Sequence, residues 1–67
     1  MIMSKLAERR KKLGLTQQQL ADKADVPVRN IRAYEQGTKS INKAQAISVY
    51  KLSKSLKCKV ADILEEE

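Results

Sequence analysis

Histidine is absent from the chain and cysteine occurs once, at Cys58. A lone thiol excludes an intrachain disulfide, and without histidine or a second thiol no structural zinc set can form. Cys58 therefore reads as a small core hydrophobe. Phenylalanine and tryptophan are missing as well, so Tyr34 and Tyr50 are the whole aromatic inventory. That leaves too few platforms for stacking unpaired bases, which ranks RNA last among nucleic-acid partners. There is no glycine-rich phosphate loop and no credible carboxylate pair, and Ser48, Ser53 and Ser55 have no evident base. No catalytic set can be assembled, so no enzyme activity, cofactor, metal or small-molecule substrate is expected. No run approaches the roughly 18 apolar residues of a membrane span. The opening Met-Ile-Met-Ser leads directly into Lys5, Glu8 and Arg9 without the apolar core of a secretory signal. The expectation is a cytoplasmic protein with no membrane partner.

What is present is positive charge. Fourteen Lys and Arg residues stand against eight acids, giving +6 and a pI near 9.7. Three of those acids form the run Glu65-Glu66-Glu67, so the body is more basic than the whole. Such a balance favours polyanionic partners, nucleic acid first, although many lysine-rich surfaces are merely solvated. At 67 residues the chain is a single domain over 1–67, and a domain of that size buries only about 60% of its unfolded surface.

Proline occurs once and glycine twice, with no internal repeat or low-complexity segment. No stretch alternates apolar and polar residues, so the chain reads as all-α. A first helix is expected over 4–13, with Met3, Leu6, Ala7, Arg10 and Leu13 on one stripe and Gly14 ending it. Thr16-Gln17-Gln18-Gln19 has the form of a capping box and starts a second helix that runs to 24. After a turn at Asp25 and Val26, Pro27 suits the first turn of a third helix that Gly37 stops. Following a loop over 38–41, Asn42-Lys43-Ala44-Gln45 repeats the capping logic and predicts a fourth helix to 56. Its inner stripe is Ala46, Val49, Ser53 and Leu56, widened by Ile47, Tyr50 and Leu52. A short fifth helix over 60–64 closes the core with Val60, Ile63 and Leu64, and 65–67 are expected to fray.

The stretch "VPVRNIRAYEQG" carries the most information. At 100° per residue, Pro27, Ile31 and Tyr34 point one way, while Arg29, Arg32, Ala33 and Gln36 point the other. Glu35 lies at the margin of the inner side and Val28 at the boundary. An arginine fork on such a face matches guanine O6 and N7 in a major groove, and alanine or valine can touch a thymine methyl. The plainer alternative is a solvated face with Arg32 weakly paired to Glu35. Together the second helix, the turn and the third helix have the length of a helix-turn-helix, and Ala21 is small where the two helices approach. At the positive end of the second helix, Thr16 and Gln17 are placed to hold a phosphate, unless Gln17 only starts the helix.

The segment 6–64 resembles the phage repressor/Cro-type (XRE-like) helix-turn-helix family of DNA-binding domains. The resemblance is carried by "LAERRKKLGLTQQQLADKADVPVRNIRAYEQG" and the closing "LSKSLKCKVADIL". It implies a five-helix, lambda-repressor-like domain whose helix-turn-helix spans 16–37. It also implies that Val28, Arg29, Arg32 and Ala33 face base edges. Gln17, Gln36, Lys39 and Lys43 are then expected on phosphates beside Thr16, with Lys43 extending toward the minor groove. Arg10 and Glu35 match the two positions of a structural ion pair between the first helix and the recognition helix, and Arg10 is independently the one base on the first helix's apolar stripe. Three positions depart from the family pattern. Asp25 stands where glycine is usual in the turn, Pro27 replaces a serine or threonine cap, and Gln36 replaces an asparagine.

The function expected is a sequence-specific, double-stranded DNA-binding transcriptional regulator of repressor type, nucleoid-associated and homodimeric. Its dimer surface would involve Cys58, Val60 and the apolar margin of the fourth helix, residues that serve equally well as monomer core. The alternative is a protein-interaction module, antitoxin-like or phage-encoded, that uses Ile47, Tyr50 and the acidic tail.

Overall fold

Ser4 starts the first helix, its hydroxyl accepting the Ala7 amide at 3.0 Å. The computed structural model describes residues 3–66. Helix α1, Lys5–Lys12, buries Leu6, Ala7 and Arg10. Its stripe is narrower than the periodicity predicts, because Met3 precedes the cap and Leu13 follows the last turn, and both stay exposed. Helix α2, Gln17–Ala24, opens on the expected capping box. The Gln19 amide donates to Thr16 Oγ1 at 3.0 Å, and the Thr16 amide donates to Gln19 Oε1 at 2.8 Å.

Asp25 ends α2 in the left-handed region, φ 56° and ψ 47°. This is a conformation aspartate tolerates at lower cost than most residues. Val26 then turns inward and is buried. Helix α3, Val28–Gln36, begins one residue later than predicted. Pro27 is its N-cap, extended at ψ 134°, with its ring exposed rather than directed inward with Ile31. The Asn30 and Ile31 amides donate to the Pro27 carbonyl, so proline serves here through its oxygen alone. Gly37 leaves the helix at φ 82°.

The fourth helix departs most from expectation. Helix α4 is Ala46–Ser55, three residues shorter at its start than the expected Asn42 cap predicts. Asn42 caps no helix. Its Nδ2 donates to the Glu65 carbonyl at 2.6 Å and its Oδ1 accepts the Glu65 amide at 2.9 Å. The preceding chain forms a 3-10 turn, Ile41–Lys43, that buries Ile41, and Ala44 and Gln45 are extended before α4 begins. On α4 the inner side chains are Val49, Leu52, Ser53 and Leu56, whereas Ala46 is exposed. Leu52, expected at the widened margin, is fully buried, while Ile47 and Tyr50 remain 56% and 52% exposed.

The expected fifth helix is a single 3-10 turn, Val60–Asp62, so the described residues form four α-helices and two 3-10 turns. The chain cannot continue helically past it because Ile63 must enter the core and Glu65 must reach Asn42. Glu65 is therefore pinned rather than frayed, and its Oε2 also accepts the Lys5 amide at 2.8 Å. Glu66 is exposed and Glu67 lies outside the described residues. This clasp joins the end of the chain to the start of α1 and to the loop before α4. Asn42→Ala is expected to leave both Glu65 backbone groups without their partner and to lower stability by about 1–3 kcal/mol, read as a reduced urea midpoint at unchanged slope.

Among the described residues the largest fully buried side chains are Leu6, Leu20, Ile31 and Leu52, one from each α-helix, and Ile63, just after the last 3-10 turn. Each contributes roughly 1.5–3 kcal/mol of transfer free energy. Cys58 packs half-buried against this core, as its reading as a small hydrophobe anticipated. Burial pushes its thiol above the ordinary range, Arg9 opposing and Asp62 adding to the shift. The thiolate is therefore scarce at neutral pH. Among the described residues no helix is long and apolar enough to cross a membrane.

Candidate nucleic-acid interface

The position of α3 is set from beneath by one network. Glu35, beside Ile31 on the inward side, receives Arg10 Nε on Oε2 at 2.7 Å and Arg10 Nη2 on Oε1 at 2.9 Å. The remaining Arg10 donor, Nη1, reaches the Leu15 carbonyl at 2.7 Å. Gln17 Nε2 adds a fourth bond, to Glu35 Oε1 at 3.0 Å. Both charged side chains are about nine-tenths buried. Such a bidentate pair fixes orientation as well as distance, so α1, α2 and α3 are keyed to one carboxylate. Its hydrogen bond to Glu35 raises the Arg10 pKa, the carboxylate's charge adding and burial opposing. Because the folded value is raised, Arg10 does not limit this contribution below the ordinary arginine range, and its part is lost only as pH rises above that range. Arg32 is left without the Glu35 partner that a solvated helix face would have offered it.

The consequence for the opposite side of α3 is direct. With Ile31 fully buried, Tyr34 half-buried and Glu35 locked inward, Arg29, Arg32 and Gln36 are all exposed, and Ala33 lies half-buried between them. Val28 also lies half-buried, packed against the core, so only part of it reaches the surface. After Gly37 the chain folds back on α3, where the Thr38 and Lys39 amides both donate to the Ala33 carbonyl. This return brings Lys39 Nζ to 3.5 Å from Asn30 Oδ1. Lys43 is exposed on the following 3-10 turn.

The helices on either side of the turn pack together, with Leu20, Ala21, Ala24 and Val26 buried beside Ile31. Only residues 25, 26 and 27 separate them. A family model described as helix-turn-helix matches residues 6–63. The chain belongs to the Cro/C1-type helix-turn-helix family. No curated protein matches it. As a member of that family it is a DNA-binding helix-turn-helix regulator.

Within this helix-turn-helix protein, Thr16 is exposed at the start of α2, beside Gln17. The Thr16 hydroxyl is engaged by Gln19, and Gln17 directs its amide nitrogen to Glu35. Two partnerships escaped sequence reasoning. Asn30 lies at the flank of the α3 wheel, and only the fold-back after Gly37 sets Lys39 beside it. Gln17 was read as a surface residue, yet it enters the ion pair across 18 residues of sequence. No local signal carries either one.

Proposed function

We propose that the protein is a sequence-specific transcriptional repressor that binds double-stranded DNA as a homodimer, with α3 in the major groove. The observation that carries this reading is the joint exposure of Arg29, Arg32 and Gln36 on the face opposite the buried Arg10–Glu35 pair. Arg29, Arg32 and the accessible parts of Val28 and Ala33 read base edges. Gln36, Lys39 and Lys43 position phosphates, and the positive end of α2 at Thr16 and Gln17 attracts one through its field, the two side chains themselves being held by Gln19 and Glu35. One helix of this length reads few base pairs. Two protomers on half-sites about 34 Å apart supply the remaining discrimination. Of the exposed apolar side chains, Ile47, Tyr50 and Val60 offer a surface for pairing, whereas Cys58 is half-buried against its own core. The site of action is the nucleoid.

Selection of bound sequences from a random duplex pool tests this reading. A two-fold symmetric motif is the expected product, and no enrichment at moderate salt and micromolar protein would defeat it. Lys39→Ala is expected to weaken all duplexes alike and to lower the slope of log affinity against log salt by about one unit, measured by fluorescence anisotropy across a salt series. A second reading, a protein-interaction module, draws on the exposure of Ile47 and Tyr50. Pull-down and duplex shift from one lysate separate the two.

A further inference from the structure

A second concentration of positive charge lies in elements that take no part in the helix-turn-helix. Arg9 on α1, Lys54 on α4, and Lys57 and Lys59 beyond its end line one open concavity with Cys58 and Asp62. Asp62 is the only acid of the lining. Its Oδ1 stands 3.7 Å from Arg9 Nη2, and its Oδ2 accepts the Lys59 amide at 2.9 Å. Four cations against one carboxylate leave this surface strongly positive. The Lys54 ammonium is further held over the Tyr50 ring, 5.9 Å from its centre.

Two ordinary explanations fall short. Cations do stabilise the C-terminus of a helix such as α4, but the helix end carries only about half a negative charge. One lysine answers that, and Arg9 belongs to another helix. Nor does solvation account for Lys57. It follows the last residues of α4 in the left-handed region at φ 57°, where the Cys58 amide donates back to the Ser53 carbonyl. Glycine ends a helix in this way without strain, so lysine there places charge on this surface at a conformational cost. An isologous contact centred on these four cations sets them against one another, so pairing of protomers through Ile47, Tyr50 and Val60 must leave them at its margin, open to an anionic partner.

We propose that Arg9, Lys54, Lys57 and Lys59 form a second phosphate-binding surface, which takes the backbone of a DNA segment other than the one that α3 reads. The proposal rests on DNA binding by the family but not on the recognition role of α3. An open cationic surface with no base-reading side chain binds without sequence preference, through counterion release. Each protomer thereby engages two duplex segments.

The test uses the full chain carrying Arg29→Ala, Arg32→Ala, Gln36→Ala, Lys39→Ala and Lys43→Ala, so that the base-reading arginines and the phosphate-holding side chains of the recognition face are already removed. Amide NMR shifts are followed while a short random-sequence duplex is added at low salt, and separately while inorganic tripolyphosphate is added. Duplex-induced shifts at Arg9, Lys54 and 57–59 are expected. Adding Lys54→Ala, Lys57→Gly and Lys59→Ala is expected to weaken that binding at least tenfold. Lys57→Gly relieves the left-handed strain, and circular dichroism confirms that the fold survives. In the otherwise native protein the same three changes should alter affinity for a selected single duplex less than threefold. No shift at these amides with either ligand, or unchanged duplex affinity in the variant, overturns the proposal. A response to tripolyphosphate alone overturns it in favour of a free anion.

Discussion

Glu35→Ala is expected to leave the domain marginal or unfolded at room temperature. The substitution strands the Arg10 guanidinium, nine-tenths buried, with only the Leu15 carbonyl left of its three bonds, and takes the acceptor from Gln17. Breaking a buried pair by removing one partner costs about 3–5 kcal/mol. A domain of this length holds roughly 3–10 kcal/mol in total, so the loss consumes much or all of it. Circular dichroism at 222 nm with a urea titration reads the effect directly. Arg10→Met combined with Glu35→Leu is expected to recover most of the stability, because no uncompensated charge is then buried. If Glu35→Ala unfolds at the same urea concentration as the parent, the pair is not what keys α1 to α3.

The second large effect concerns recognition and follows from the proposed role of α3. Replacing both Arg29 and Arg32 with alanine is expected to remove discrimination between the selected duplex and a scrambled one. Each bidentate arginine–guanine pair is worth about 1–3 kcal/mol of preference. The pair together therefore sets a ratio of roughly thirty to twenty thousand. Both side chains are exposed and neither carries a bond to the core, so stability should change by less than about 0.5 kcal/mol. Competition binding with the two duplexes checks the first statement and the urea midpoint the second. A preserved ratio would mean that α3 does not read bases.

These two substitutions mark how far the candidate site was legible. The wheel of α3 separated Arg29, Arg32 and Gln36 from Ile31 because a 100° step is a local property of any helix, and burial of Ile31 followed it. Arg10 stood out as the only base on an apolar stripe. The wheel failed for Pro27, which precedes the helix and need not follow its periodicity.

Signals confined to a few neighbouring residues were readable in one dimension. The Thr16–Gln19 box, the turn at Asp25 and Val26 and the stop at Gly37 each depend on side chains or dihedrals within four residues. Where a distant partner competed, local preference lost. Asn42 had the chemistry of a helix cap, but Glu65, 23 residues away, satisfied both ends of its amide. With that pairing α4 starts later, the last helix is one 3-10 turn, and Glu65 is anchored where a loose tail is expected. Gln17 was drawn from the surface to Glu35 in the same way. The assembly of Arg9, Lys54, Lys57 and Lys59 on one surface likewise arises only when α1 meets the end of α4. Spacing along the chain reports angles around one helix axis, whereas these contacts depend on how separate axes cross, which no local pattern encodes.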